Sequence, residues 1–428
     1  MTSSSGGLGD YGVGDPLAEG FKGLPLGEVV TAGDIAGRGW NVLRGDVSTP
    51  VAVLRLSALE HNVETMRQYC AAAGVSLAPH AKTTLSPELV ARQAAAGAWA
   101  FTAAVPFHVQ LLWAFGVQRV LLANELLDPA ALAWAVRELE AHSERELICY
   151  VDSHVGLDAA AFAVAASGGT RTLPVVVELG YAGGRTGVRS TDDAVALAQA
   201  VAASPHLRLA GVAAYEGTIA TVRTPASLAA VDAYLQDVRR LASRLAELDL
   251  LDPETAPIVT AGGSMFFDRV TAALGPLAAD GFRIVLRSGC YLTHDHGLYA
   301  SGSPATAPGW VLPAFESALE VWARVVSRPE PGLALLNAGR RDLSHDSGLP
   351  TALRGHSADG MHVDLSTSTV TALSDQHAFL QVPADSPLAV GDLVGLGISH
   401  PCTTLDRWRL LLMVDDDYTV VGSARTYF

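Results

Sequence analysis

Between residues 75 and 286, short apolar runs alternate with longer segments whose apolar residues recur at helical spacing. Segments such as 129–142 and 225–248 are typical of amphipathic helices. Short buried strands that alternate with helices indicate a parallel sheet. Eight such units predict an α/β fold, a (β/α)8 TIM-like barrel. The eight predicted strands are residues 75–79, 98–102, 119–123, 147–152, 174–179, 209–213, 257–261 and 283–286.

The pattern changes after about residue 304, where short apolar segments are separated by polar turns. This predicts a second, mainly β domain, with strands at 314–327, 333–338, 370–373, 377–382, 393–397, 410–414 and 418–422. Residues 50–56 form one more apolar run, which has no place among the eight strands, so we expect it to join the β domain. Ser57 and Glu60 have the spacing of a capping box at the start of a helix. The predicted organisation is a loose Gly-rich leader (1–46), a joining strand (47–56), the barrel (57–303) and the β domain (304–428).

Composition narrows the class of protein. With 49% hydrophobic and 17% charged residues among 428, the chain is typical of a globular protein with a large core. A net charge of -15 without a basic cluster argues against a nucleic-acid partner. The apolar runs are too short to span a membrane, and the first 20 residues lack the pattern of a secretory signal. Four scattered cysteines without CxxC spacing favour a reducing compartment, and we expect a cytoplasmic protein.

Two of the 29 basic residues are lysines, Lys22 and Lys82. Lys82 lies just past the first predicted barrel strand, at the end where such barrels carry their sites. An amine forms Schiff bases, whereas a guanidinium stays protonated and does not. A lysine held among apolar groups has a lowered pKa and a reactive lone pair. Lys82 is therefore a candidate nucleophile, with an exposed loop lysine as the alternative.

Glycine-rich turns follow three later strands. The turns at 261–265 and 287–291 follow the seventh and eighth, where barrels often bind phosphate through backbone N–H groups. Either turn alone is more often an ordinary tight turn. The loop 178–188 follows the fifth strand and carries Arg185, and Tyr215 follows the sixth. An exposed arginine and a core tyrosine are the alternatives for these two.

His400 and Cys402 are two positions apart in the predicted β domain. In an extended backbone, both would point to one side. Imidazole and thiolate suit Zn²⁺, and two protein ligands leave coordination positions open for substrate. A pair at this spacing is a weak motif, so a structural role is the alternative, and His294 with His296 forms a competing pair.

Together, these motifs resemble the D-serine dehydratase / D-threonine aldolase family of pyridoxal-phosphate (PLP) enzymes with the alanine racemase fold (fold type III). The resemblance runs from about residue 49 to the C-terminus. Each motif is short, but their order and spacing are specific. They are Pro-His-Ala-Lys-Thr at 79–83, Gly-Arg-Thr-Gly at 184–187, Gly-Gly-Ser at 262–264, Arg-Ser-Gly-Cys-Tyr-Leu-Thr-His-Asp at 287–295 and His-Pro-Cys at 400–402.

The resemblance implies a set of site residues. Lys82 would carry PLP as a Schiff base and act as the catalytic base, with Arg185 and Tyr215 close to the pyridine ring. His400 and Cys402 would bind a divalent metal, foremost Zn²⁺, with Mn²⁺ or Mg²⁺ as alternatives. The phosphate would be held, mainly through backbone N–H groups, by Gly263, Ser264, Gly289 and Cys290. Members of the family are homodimers, so we expect a homodimer that binds neither nucleic acid nor membranes.

The metal motif of the family also implies an activity. Aldolase members typically carry His-x-Asp where dehydratase members carry His-x-Cys, and this chain has His-Pro-Cys. This implies a PLP- and metal-dependent lyase, a dehydratase that converts a β-hydroxy D-amino acid such as D-serine to a 2-oxo acid and ammonia. The alternative is a metal-dependent D-threonine aldolase, which releases glycine and an aldehyde. An amino-acid racemase or a non-catalytic PLP-binding protein is a further alternative.

Overall fold

Eight parallel strands form a closed barrel in the computed structural model, which describes residues 7–17 and 20–428. From the second strand to the eighth, each strand pairs with the next one in the chain, and the eighth pairs with the first. The ring closes where His80 bridges Thr102 and the Trp99 N–H donates to the Leu77 carbonyl at 2.8 Å. The predicted barrel is therefore confirmed. Its strands are Ser76–Leu77, Phe101–Ala103, Arg119–Glu125, Glu146–Val151, Leu173–Leu179, Leu207–Ala214, Ile258–Ala261 and Arg283–Leu286.

Helices surround the barrel. Asp128 caps one of them by accepting hydrogen bonds from the N–H groups of Ala130 and Ala131. The capping box predicted at Ser57 is wrong, because the Ser57 hydroxyl instead donates to Asp416 of the β domain at 2.6 Å. None of the helices in the described residues is long and apolar enough to cross a membrane. The main helices are Leu56–Ala73, Pro87–Ala95, Pro106–Ala114, Pro129–Ala141, His154–Ser167, Thr191–Ala202, Pro225–Glu247 and Phe267–Leu274, with shorter turns of helix at Ile35–Arg38, Ala81–Thr83, Gly275–Asp280, Leu298–Gly302, Pro304–Thr306 and Cys402–Leu405.

The barrel strands are buried on both sides. Val176 packs in the interior of the barrel, whereas its neighbours Val175 and Val177 pack in the core under the helices. Alternate side chains of a strand point to opposite faces. Because both faces are apolar here, these strands read in the sequence as continuous apolar runs.

The second domain is a ten-stranded sheet that includes the N-terminal strand. Val51–Arg55 pairs antiparallel with Leu319–Glu330 and parallel with Leu410–Val414, which confirms the predicted joining strand. Two strands that the sequence reading missed, Thr351–His356 and His362–Val363, carry polar residues that hide the apolar pattern. The remaining strands are Leu333–Leu336, Thr369–Leu373, Ala378–Gln381, Leu393–Gly397 and Val420–Arg425.

The leader is packed against the β domain, so the prediction of a loose segment is wrong for its described residues. Pro16–Leu17 pairs with Val30–Thr31. The Lys22 amine donates to Asp342 at 2.8 Å and lies 3.9 Å from the centre of the Trp408 ring. The apolar residues of the leader follow no regular period, so the sequence pattern did not reveal that they are packed. Six of the leader's apolar residues share a core with the β-domain sheet: Leu17, Leu24, Val30, Ile35, Trp40 and Val42.

Candidate active site

A cavity of about 320 Å³ lies between the carboxyl ends of the barrel strands and the β domain. Both domains contribute to it, since His400 and Cys402 follow a strand of the β domain. The structure therefore brings together every site residue predicted from the sequence, although the metal pair and the lysine are more than 300 positions apart. The predicted residues that line the cavity are Lys82, Arg185, Tyr215, Gly263, Ser264, Gly289, Cys290, His400 and Cys402.

Lys82 lies in the helical turn Ala81–Thr83, directly after the first barrel strand. The turn is anchored to the eighth strand, because the His80 N–H donates to the Arg287 carbonyl at 3.2 Å. Ala81 and Thr83 are buried, whereas the Lys82 side chain is exposed at the cavity. The protein therefore presents the amine to the cavity, and the expected desolvation of Lys82 by surrounding residues is not seen.

Two further residues of the cavity, His80 and Arg287, lie in the quoted motifs but were given no role from the sequence. Arg287 is 3% exposed, and its guanidinium donates to Thr260 at 2.8 Å and to the Ala214 carbonyl at 2.6 Å. Burial lowers the pKa of His80 well below its usual value, and nearby Lys82 adds to this, so its ring is neutral. The sequence did offer a signal for Arg287, because it is a charged residue directly after an apolar strand.

The Gly262–Gly263 turn is held by a carboxylate that the sequence reading missed. Glu216 is fully buried and accepts the Gly262 N–H at 3.0 Å and the Gly263 N–H at 2.9 Å. The Gly263 N–H, which the resemblance assigned to the phosphate, is therefore engaged by Glu216 in this structure. The signal for Glu216 in the sequence was an acidic residue next to Tyr215, just after an apolar strand.

Three neighbouring N–H groups remain available for an anion. The backbone N–H groups of Ser264, Gly289 and Cys290 have no acceptor among the described residues. A Cβ at Gly289 would lie 2.6 Å from the His80 carbonyl oxygen, so only glycine allows the two segments to approach this closely. Free N–H groups that lie together in this way are suited to bind an anion.

Arg185 and Tyr215 are neighbours at the edge of the cavity. The guanidinium carbon of Arg185 lies 4.9 Å from the centre of the Tyr215 ring, within cation–π range. Arg189 fixes the loop that carries Arg185, because its guanidinium donates to four loop carbonyls, those of residues 184–187. Burial raises the pKa of Tyr215, so its phenol is neutral.

His400 and Cys402 both reach the cavity, but not through an extended backbone. Cys402 begins the short helix Cys402–Leu405, and Pro401 before it has helical dihedral angles. The predicted extended segment is therefore wrong, because a helical turn brings the two side chains together. A hydrogen bond to Cys402 and one to Asp346 raise the pKa of His400 to about 9. Hydrogen bonds from Cys290 and His400 lower the pKa of the Cys402 thiol.

Asp346 lies behind His400, outside the cavity lining, and the sequence reading gave it no role. Its carboxylate bonds to His400 Nδ1 at 2.6 Å and accepts the Thr403 hydroxyl at 2.6 Å. Arg340, Arg341 and His345 of the same loop do not line the cavity. The competing pair His294 and His296 does not line it either, and burial lowers the pKa of each to about 4.

Three carboxylates cluster beside the cavity. Ligand atoms of Glu125, Asp152 and Glu178 lie within 4.8 Å of one another, and Glu178 lines the cavity wall. Burial, and then the charge of Glu178, raise the pKa of Glu125 to about 8. Glu125 is therefore protonated near neutral pH, which reduces the repulsion within the cluster.

The site residues fit both groups that the motifs imply. PLP needs an amine, anion donors and polar partners for its ring. The cavity offers Lys82 and three free N–H groups, and it has buried polar atoms without partners among the described residues, at His80 Nδ1, Tyr150 Oη and Arg287 Nε. The imidazole of His400 and the thiol of Cys402, which also line the cavity, are ligands that zinc prefers.

Comparison with known proteins agrees with this site. The family model described as "Alanine racemase, N-terminal domain" matches residues 54–271, and "Putative serine dehydratase domain" matches residues 318–414. A D-threonine aldolase from Arthrobacter sp. is 30% identical over 86% of this chain and 90% of its own. A D-threo-3-hydroxyaspartate dehydratase from Delftia sp. (strain HT23) is 30% identical over 71% and 74%.

The structural comparison gives the same result. The crystal structure of D-threonine aldolase from Filomicrobium marinum has a TM-score of 0.76 and 27% identity, covering 91% of this chain and 97% of that one. One family model spans half of the chain, and a 30% identical relative spans most of it. The chain therefore belongs to the D-serine dehydratase and D-threonine aldolase family of PLP-dependent lyases, built on the alanine racemase fold.

Proposed function

We propose that this enzyme is a zinc-dependent dehydratase that converts a β-hydroxy D-amino acid, such as D-serine, to a 2-oxo acid and ammonia. The family makes it a PLP-dependent lyase that acts on β-hydroxy D-amino acids. The observation that carries the finer proposal is the meeting of Lys82 with His400 and Cys402 in one cavity formed by two domains.

Lys82 has the properties required for two tasks. It is the one lysine that lines the cavity, and its side chain is exposed there. Bound PLP supplies an electron sink for charge that develops at the substrate Cα. Lys82 Nζ would hold the cofactor, and its free amine would remove the Cα proton as general base.

The surrounding residues would hold the cofactor in place. The free N–H groups of Ser264, Gly289 and Cys290 would hold its phosphate, since they are the available donors at the end of the barrel. Arg185 and Tyr215 would pack near the pyridine ring. The buried guanidinium of Arg287 is positioned by two hydrogen bonds and adds a fixed positive charge to the cavity.

The metal site would assist loss of the β-hydroxyl. A divalent ion held there would supply a Lewis acid for the departing hydroxide. Cys402 supplies a thiol whose pKa is lowered, and His400 supplies Nε2, because Asp346 engages Nδ1.

A second candidate is a D-threonine aldolase that cleaves the Cα–Cβ bond. The observation that favours it is the 30% identity to the Arthrobacter enzyme over 86% of this chain. In that reaction a base would take the proton of the β-hydroxyl, and the products would be glycine and an aldehyde.

D-Threonine separates the two reactions. The dehydratase releases 2-oxobutanoate and ammonia, whereas the aldolase releases glycine and acetaldehyde. The test uses zinc- and PLP-loaded enzyme with a panel of D-serine, D-threonine and 3-hydroxy-D-aspartate, before and after exhaustive chelation. L-Threonine and Lys82→Ala serve as controls. Glycine with acetaldehyde from D-threonine would reject the dehydratase, and full turnover after chelation would reject the metal role.

A further inference from the structure

The two cavity cysteines lie next to each other, although they belong to different domains. Cys290 Sγ, after the eighth barrel strand, is 3.6 Å from Cys402 Sγ of the β domain. The Thr83 hydroxyl is 3.6 Å from Cys402 Sγ and 3.8 Å from Cys290 Sγ. Cys290 is buried, with 6% of its surface exposed. The proposed function uses the backbone N–H of Cys290 and leaves its thiol without a role.

The separation of the two sulfurs is close to that expected for two ligands of one zinc ion. Sulfur ligands lie about 2.3 Å from zinc, and tetrahedral geometry then places two of them about 3.8 Å apart. The observed 3.6 Å is close to this value. Neither thiol needs a large movement to share an ion with the other.

The number of ligands supports the same conclusion. Catalytic zinc sites usually have three protein ligands and one open position, and Cys₂His is one of the known sets. His400 and Cys402 alone supply two. We infer that Cys290 Sγ is the third ligand of the metal that we propose for this enzyme, with the fourth position open to the substrate hydroxyl. This inference rests on the proposed function and adds a ligand to it.

His400 must move before it can bind the same ion as the two cysteines. In the described part of the chain, Glu125, Asp152 and Glu178 are the three residues whose ligand atoms all lie within 4.8 Å of one another. His400, Cys290 and Cys402 do not meet this criterion, so the imidazole lies farther than 4.8 Å from at least one of the two sulfurs. Its side chain is 21% exposed and is held at Nδ1 by Asp346, which is 45% exposed. A rotation of this pair toward the sulfurs would bring Nε2 to the metal.

The inference also selects the metal. Two thiolates and an imidazole are soft and borderline ligands, which favour zinc over Mg²⁺ or Mn²⁺. Each thiol releases its proton to solvent when it binds the ion, so the two thiolates balance the charge of a divalent cation. The charge balance removes the cost of burying two anionic sulfurs side by side.

X-ray absorption at the zinc edge counts the sulfur ligands directly. The sample is PLP-loaded enzyme with one equivalent of zinc and a non-thiol reductant. We expect two sulfur ligands at about 2.3 Å in the wild type and one in Cys290→Ser. Zinc affinity should fall in that variant by at least the roughly 10- to 100-fold that loss of an outer-shell partner costs. Cys70→Ser, outside the cavity, is the matched control and should retain two sulfurs.

The outcomes distinguish this inference from the proposed function. One sulfur in the wild type, unchanged by Cys290→Ser, would overturn the third ligand and leave the His400–Cys402 site intact. A wild type that holds no zinc would overturn both. Because the wild-type spectrum alone decides the sulfur count, the test stands even if Cys290→Ser folds poorly.

Discussion

His400 Nδ1 lies 2.6 Å from Asp346 Oδ2, so the imidazole is oriented by a carboxylate that does not itself line the cavity. Carboxylate–histidine pairs of this kind fix the tautomer and direction of a metal-binding ring. Asp346 is in turn fixed by the Thr403 hydroxyl at 2.6 Å. The pair leaves the second ring nitrogen, Nε2, free to bind the metal.

Replacing Asp346 should therefore weaken metal binding without loss of PLP. For Asp346→Asn we expect zinc affinity to fall by about 10- to 100-fold, because the amide does not stabilise the same tautomer as strongly. A chelator-competition titration measures the affinity, and the cofactor absorbance reports PLP. Asp375→Asn, an exposed residue of the same domain, is the control. Unchanged zinc affinity in Asp346→Asn would contradict the role of Asp346.

The scarcity of lysine gives a direct test of the cofactor site. Borohydride reduction of the PLP-loaded enzyme should leave one pyridoxyl group, at Lys82, because Lys22 is bound to Asp342 at 2.8 Å. Lys82→Ala should lose the adduct, and Lys22→Ala should keep it. Peptide mass spectrometry locates the modification. A reducible adduct in purified Lys82→Ala would refute the assignment.

Glu216 should support the phosphate-binding turn. It is fully buried and accepts two N–H groups, those of Gly262 and Gly263. Glu216→Ala leaves both donors without a partner, so we expect a loss of about 1–3 kcal/mol of stability for each donor that stays unsatisfied, together with weaker PLP binding. Urea unfolding and a PLP titration measure the two effects. Glu247→Gln, at an exposed helix end, should change stability by less than about 0.5 kcal/mol.

The stability of the enzyme should depend on the protonation of Glu125. Its pKa is about 8 in the folded chain and 4.5 as the ordinary value, so between these the folded state holds a proton that the unfolded state releases. Its contribution is fully present below the lower value and is lost as the pH rises through about 8. Glu125→Gln removes this ionisation, so its Tm relative to wild type should rise from pH 5 to pH 9. A constant difference in Tm across this range would contradict the shift.

Much of the fold was open to prediction because the strands of the barrel are buried on both faces. Arg283–Leu286 has the bounds that the sequence predicted, and Leu173–Leu179 differs by one residue. The strands Thr351–His356 and His362–Val363 were missed, because their polar residues break the apolar pattern. The packed leader was missed for a related reason, since its apolar residues gain a common core only against the β-domain sheet. The homodimer and the cytoplasmic location stay predictions.

The sequence by itself determined the barrel, the added β domain and the motif residues that line the cavity. Residue type and order along the chain were sufficient for these, because parallel strands bring their carboxyl ends to one edge. Only the tertiary structure decided which groups are engaged and which are free. Glu216 accepts a hydrogen bond from the Gly263 N–H, and Asp346 orients His400. Cys290 contacts Cys402, which is 112 positions away in the sequence. Such contacts join distant segments, and their distances depend on how two domains pack, which no local pattern encodes.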